Sequence, residues 1–279
     1  MDIGVHFWAR EDSMDVAELA RMTEDLGFES LWVAEHTHIP VHPARSLQQR
    51  GPIPDSHARM FDPWISLAVA AAVTSRIKLG TAVCLVTQHD PIVLAKEIAT
   101  LDFVSGGRVL FGVGVGSVVD ETVNHGVEPE DRWRVLRERV LAMKAIWTND
   151  QAEFHGKFVD FDPIYQWPKP LQKPHPPVIV GGSGPHVVQR AADYGDGWMP
   201  YRSVGSSFLE RAAELQRLAR ERGRAPIPVG ASGVDPDPAV IEQYQRAGIV
   251  RVVLQTLPCD RDEIVRLMKQ DSALVKQFA

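Results

Sequence analysis

The chain has only two cysteines in 279 residues, Cys84 and Cys259, far apart in sequence. That excludes a disulfide framework and a cysteine-spaced metal cluster, and fits a reducing, cytoplasmic setting. No run of about 18 apolar residues is present, so no membrane span is expected. The N-terminus lacks a basic stretch followed by an apolar core, so no secretory signal is read there. Positive charge is not in excess: 30 Lys+Arg against 36 Asp+Glu give a net charge of -6. This balance argues against nucleic acid as a partner. Internal repeats and low-complexity tails are also missing.

What is present is a 44% hydrophobic content, enough for a sizeable core. Strand and helix signals alternate from end to end. Ile3 to Phe7, Ser30 to Ala34, Ile77 to Cys84, Val109 to Val113, Val178 to Val180, Ile227 to Gly230 and Arg251 to Gln255 read as strands. Trp198-Met199 reads as a further strand end. Met14 to Leu26, Arg132 to Trp147, His186 to Asp193, Phe208 to Arg222, Pro238 to Ala247 and Asp262 to Lys276 read as helices. Asp62-Pro63 opens another through Thr74, and Asp90-Pro91 one that Ser105-Gly106-Gly107 stops. Gly156 to Phe161 reads as a short strand or hairpin arm, followed by a proline-rich tract over 163–177. About eight β/α units in this length predict the α/β class and a single (β/α)8 TIM barrel domain over residues 1–279, with insertions at the C-terminal face of the strands. A doubly wound parallel sheet is the alternative.

Ligand-binding signals cluster at the carboxyl ends of the expected strands, where α/β proteins bind ligands. Gly112, Gly114 and Gly116 close the Val109 strand, and glycine there lets a ligand lie against bare backbone. Gly181, Gly182, Ser183 and Gly184 join a strand to a helix, whose first N–H groups suit an anion. His36 follows Glu35 at the end of the second strand, and an imidazole there can exchange a proton near neutral pH. After His36, residues 36–61 hold four prolines and three histidines with no sustained period, which predicts a functional loop over the site. Trp8, His38, His57 and Tyr201 are candidate pocket residues, whereas Trp133 and Trp147 are expected in the core. His36, His38 and His42 could converge on a metal, but no cysteine or acidic cluster supports zinc, and no metal is expected.

These motifs resemble the bacterial luciferase-like family of flavin- or deazaflavin-dependent oxidoreductases. The resemblance is carried by SRIKLGTAV, DPIVLAKEIATLD and SGGRVLFGVGVG within 75–116, by SLWVAEH at 30–36, and by VIVGGSG and AADYGDGW within 178–198. Wording and length are most similar to the branch that uses coenzyme F420, a deazaflavin. The resemblance implies hydride transfer between F420 and a small organic substrate at the barrel mouth; the alternative is an FMN-dependent monooxygenase that uses molecular oxygen. It also implies a homodimer, for which the apolar faces of the 62–74 and 91–104 helices are candidate contacts.

Carried over residue by residue, the resemblance places Glu35 and His36 as an acid–histidine pair beside the reactive ring. It places a non-proline cis peptide at Ala82-Val83 beneath the ring. Val115, Gly116 and Ser117 fall along the ring's polar edge, and the 181–184 loop falls on the cofactor phosphate. The chain departs from the family at two points. Ser117 stands where the sugar-phosphate dehydrogenase branch has a glutamate, a proposed proton donor. His89 stands near an arginine that in relatives reaches the cofactor tail, and is expected to be largely neutral near pH 7. Asp120 and Glu121 are given no catalytic role.

Overall fold

An aspartate followed by proline starts three helices for a local reason. Asp62, Asp90 and Asp237 each accept hydrogen bonds from backbone N–H groups of the first helical turn, and the following proline gives up no intrahelical bond there. The computed structural model describes residues 1–41, 55–202, 205–255 and 260–278. Its strands are β1 (Asp2–Phe7), β2 (Ser30–Val33), β3 (Lys78–Thr81), β4 (Cys84–Leu85), β5 (Val109–Gly114), β6 (Gln151–His155), β7 (Asp160–Tyr165), β8 (Val178–Gly181), β9 (Gly197–Met199), β10 (Gly230–Val234) and β11 (Arg251–Gln255). Its helices are α1 (Val16–Asp25), α2 (Asp55–Ala58), α3 (Pro63–Val73), α4 (Pro91–Val104), α5 (Val119–Asn124), α6 (Arg132–Thr148), α7 (Val187–Tyr194), α8 (Ser206–Glu221), α9 (Pro238–Arg246) and α10 (Arg261–Phe278).

Parallel pairing runs in the order β10-β11-β1-β2-β3-β5-β8-β9. The ends of this path approach each other: Trp198 N donates to Pro228 O at 3.0 Å, Ser232 N to Pro200 O at 3.0 Å and Arg202 N to Ser232 O at 2.7 Å. The result is the expected (β/α)8 barrel, nearly closed, with helices between successive strands. β4 continues β3 beyond the Ala82-Val83 peptide, which is cis.

Strand alternation sorts the side chains into two cores. Val5, Phe7, Leu31, Val33, Val109, Phe111, Val178 and Val180 face outward into the layer shared with the helices. Trp32, Leu110, Ile179, Met199 and Val253 face inward and fill the barrel beneath its mouth. Trp32 is fully buried there, and a Cβ built on Gly80 would lie 2.3 Å from its ring, so that layer has no room for a side chain on β3 at this level.

A single carboxylate ties α1 to the start of β3. Glu24 accepts from the N–H groups of Arg76 (2.6 Å), Ser75 (2.9 Å) and Ile77 (3.1 Å). Burial works against its charge, but these bonds outweigh burial and lower its pKa to about 2 from the ordinary 4.5. The sign follows from linkage: this stabilisation is complete above about pH 4.5 and is lost as pH falls through about 2. Glu24→Ala is expected to cost about 2 kcal/mol at neutral pH, read by urea unfolding, with the difference from wild type shrinking in acid.

Three expectations are corrected. Gly156 to Phe161 is not one arm: β6 and β7 pair antiparallel around a turn at 156–159, whose N–H groups from Lys157, Phe158 and Val159 are gathered by Glu138. Both strands are largely exposed, so no buried alternation marks them. This hairpin follows α6 and precedes β8, an insertion between helix and strand rather than at the strands' C-terminal face. The tenth strand is Gly230–Val234 rather than Ile227 to Gly230, because its inward positions are Gly230 and Ser232, small residues that read as a turn. Helix α5 was not expected at all. Among the described residues, no helix is long and apolar enough to cross a membrane.

Candidate active site at the barrel mouth

The carboxyl ends of the strands surround a cavity of about 620 Å³. Its floor is set by Val83. A Cβ built on Gly114 would lie 2.5 Å from Val83 Cγ2, and one built on Gly181 would lie 2.6 Å from Val83 Cγ1. The two glycines of β5 and β8 therefore receive the two methyls of one β-branched side chain. Ala82, Val83, Val115, Gly116, Ser117, Gly181, Gly182, Ser183 and Gly184 all border the cavity, as do Glu35 and His36. Val115 does so by its backbone end, since its side chain joins the outer core.

Glu35 and His36 are neighbours in sequence but not partners. Adjacent residues leaving a strand point to opposite sides. Glu35 is buried toward β4, where Leu85 N donates to Oε2 at 2.5 Å and His89 Nε2 meets Oε1 at 2.6 Å. His36 instead pairs through Nδ1 with Glu121 Oε2 at 2.9 Å, and Thr37 N donates to Glu121 Oε1 at 2.9 Å. Glu121 lies on α5 and is fully buried. An ionised carboxylate only accepts, so Glu121 holds the proton on His36 Nδ1 and leaves Nε2 as the acceptor. The carboxylate that meets His36 is thus Glu121, while Glu35 meets His89.

The Glu35 cluster includes Cys84. Burial, then the charge and hydrogen bond of Glu35, push the Cys84 thiol well up, which keeps it protonated. Burial works against the charged form of His89, but the hydrogen bond and charge of Glu35 raise its pKa overall. The contact with Glu35 thus works against the largely neutral His89 expected from sequence. Among the described residues, Glu35, Cys84 and His89 are a group whose ligating atoms lie within 4.8 Å of one another. Their mutual hydrogen bonds account for that closeness. Of the three histidines weighed for a metal, His36 is held by Glu121 and His38 by Thr37 and Asn124, while His42 lies outside the described residues.

Trp8, His57 and Tyr201 border the cavity, and His38 does not. The described part of the 36–61 loop contributes His57 and Met60, and Arg10 pairs with Met60 across the mouth. Trp147 is core, but Trp133 lines the cavity with the Arg190 guanidinium 3.8 Å from its ring centroid. Arg132 stands beside them, and its buried Nε has no partner among the described residues. The 181–184 loop lies at the N-terminus of α7, the helix that carries Arg190, and is braced by Arg211, which donates to Ser183 O and Gly184 O at 2.6 Å. Two cations and a helix N-terminus therefore face one end of the cavity, an arrangement suited to phosphate. Sequence reasoning missed Arg132 and Arg190 because helical arginines read as solvent-facing.

The model of the luciferase-like monooxygenase family matches residues 5–263. An uncharacterized protein of Mycobacterium tuberculosis is 42% identical over 262 residues, 91% of each chain. An F420-dependent glucose-6-phosphate dehydrogenase of Kineococcus radiotolerans is 32% identical over 187 residues, covering 66% of this chain and 51% of that enzyme. The monooxygenase RslO1 from Streptomyces bottropensis superposes with a TM-score of 0.80 at 21% identity over 100% of both chains, a likeness of fold. Because the family match spans the barrel from β1 to α10, the chain belongs to the luciferase-like monooxygenase family.

Proposed function

We propose that the protein is an oxidoreductase that transfers a hydride between coenzyme F420 and a small organic substrate at the barrel mouth. The observation that carries this reading is the His36–Glu121 pair, 2.9 Å apart, on a cavity whose wall is bare glycine backbone at Gly114, Gly116 and Gly181. The residues fit a planar ring with a phosphate-bearing tail. A Cβ at Gly114 or Gly181 would push Val83 up from the cavity floor into the space for the ring, and the Arg132 Nε, without a partner among the described residues, suits an anion. The Gly181–Gly184 loop, Arg132 and Arg190 would hold the phosphate, and the Val115–Ser117 backbone would border the ring. A bound deazaflavin supplies a two-electron hydride carrier.

His36 Nε2 takes the hydroxyl proton as an alcohol carbon gives up its hydride, or returns a proton to oxygen in the reverse direction. Glu121 fixes the tautomer, and Glu35 acts as a positioning residue on the 82–89 segment. The relative from Kineococcus, 32% identical over 187 residues, supports F420. The second reading is an FMN-dependent monooxygenase, favoured by the family's description and by RslO1. Anaerobic assays with a panel of secondary alcohols separate them. F420 reduction without oxygen supports the first reading; turnover only with FMN and oxygen replaces it with the second.

We also propose a homodimer of a single-domain chain. Phe61, Ile65 and Val69 are spaced by four residues along the start and outer face of α3, and Ile65 is 68% exposed. Val93, Phe103 and Val104 extend the apolar surface on α4. Contiguous apolar surface of this kind marks association. Ile65→Asp is expected to shift sedimentation from dimer to monomer; an unchanged dimer places the interface elsewhere.

A further inference from the structure

Two polar side chains of the cavity wall are used by nothing described above. On β1 the inward positions are Gly4 and His6, with Trp8 just beyond. His6 is in register with Trp32 on β2, and Gly4 with Val253 on β11. It borders the cavity yet is only 2% exposed, and among the described residues neither Nδ1 nor Nε2 has a partner. Ser232 on β10 is alike: it borders the same cavity, is 3% exposed, and its Oγ has no partner among the described residues. Tyr201 links the two, being bridged to Ser232 along the backbone and packed edge-on to His6 at 6.2 Å between ring centroids. Buried polar groups are ordinarily hydrogen-bonded, and an apolar residue would pack these positions at less cost.

We infer that His6 and Ser232 form the subsite that receives an uncharged hydrogen-bonding group of the substrate, a hydroxyl or a carbonyl on an otherwise apolar molecule. This rests on the oxidoreductase reading of the cavity and adds the substrate class to it. Burial alone pushes His6 down to about pKa 4, so its ring is neutral at physiological pH. A neutral imidazole and a serine hydroxyl can each both donate and accept, which complements an alcohol or ketone. Neither neutralises a phosphate or carboxylate. Among the described residues, the arginines that border the cavity, Arg132 and Arg190, stand with the 181–184 loop at the proposed cofactor-phosphate end. The walls flanking His6 and Ser232 are Trp8, Met199 and Tyr201, apolar or aromatic. The subsite therefore discriminates against sugar phosphates in favour of neutral alcohols and ketones.

The test uses cofactor-loaded protein with 1,4-cyclohexanediol and 4-hydroxycyclohexanone as neutral probes, whose second oxygen is free to reach His6 and Ser232 while the first meets His36, and glucose 6-phosphate as the anionic one. His6→Phe keeps the ring and removes both nitrogens. It is expected to raise the dissociation constant of the neutral probes at least 10-fold, to leave that of the cofactor within twofold, and to raise the Tm of the free protein. Ser232→Ala is expected to weaken the neutral probes severalfold and carries the same test if His6→Phe fails to fold. Neutral-probe affinity unchanged in the variants, no neutral-probe binding by the loaded wild type, or tighter binding of glucose 6-phosphate overturns the inference. Failure of the wild type to bind either F420 or FMN overturns the underlying oxidoreductase reading instead.

Discussion

His36→Ala lowers turnover by about 10²–10⁴-fold, the range for loss of a general acid–base group, and leaves cofactor affinity within about threefold. The split follows from geometry. His36 reaches the cavity with Nε2 and is tied to the protein through Glu121, while the proposed phosphate contacts lie on β8, α6 and α7. Glu121→Gln keeps an acceptor oxygen but removes the charge that favours an imidazolium, so it is expected to cut turnover by a smaller factor. Steady-state rates under saturating cofactor, set beside a cofactor titration, check both. A His36→Ala enzyme with wild-type turnover removes His36 from the chemistry.

Gly181→Ala is expected to weaken cofactor binding by roughly 10–100-fold, the scale of the 1–3 kcal/mol cost of forcing an extra methyl into a packed site. The new Cβ would lie 2.6 Å from Val83 Cγ1, and Gly114 closes the other side at 2.5 Å from Cγ2. A valine side chain cannot swing clear, because branching at Cβ fixes its rotamer. Val83 must move as a unit and take the cavity floor with it. Gly114→Ala should behave alike. Val83→Ala removes the obstructing methyls, so the Val83→Ala/Gly181→Ala pair is expected to recover much of the affinity lost in Gly181→Ala. That non-additivity is read by a double-mutant cycle of dissociation constants. Additive losses would show that Gly181 matters for another reason.

Much of the barrel can be read from local signals. Asp62-Pro63 and Asp90-Pro91 mark helix starts because capping and proline act within one turn. The apolar strands 109–113 and 178–180 are plain because both their faces are buried. The cis peptide at Ala82-Val83 and the borders of the cavity follow the resemblance stated from the same segments. Elements with weaker local signals were misread. β10 hides behind small inward residues, the β6–β7 hairpin lacks a buried face, and α5 is too short for a period. The carboxylate partner of His36 was missed for a related reason. Glu121 becomes a partner of His36 only when the chain after β5 folds back over the mouth, a contact 85 residues apart. The pairing of Glu35 with His89 is likewise long-range, though strand alternation already separates Glu35 from His36.

The most direct measurement is a fluorescence titration of the purified protein with F420 and, separately, with FMN, repeated on Gly181→Ala. Tight, selective F420 binding that Gly181→Ala weakens is the predicted result. Selective binding of FMN would contradict the cofactor assignment, and binding of neither would contradict the account of the glycine-lined cavity as a redox site.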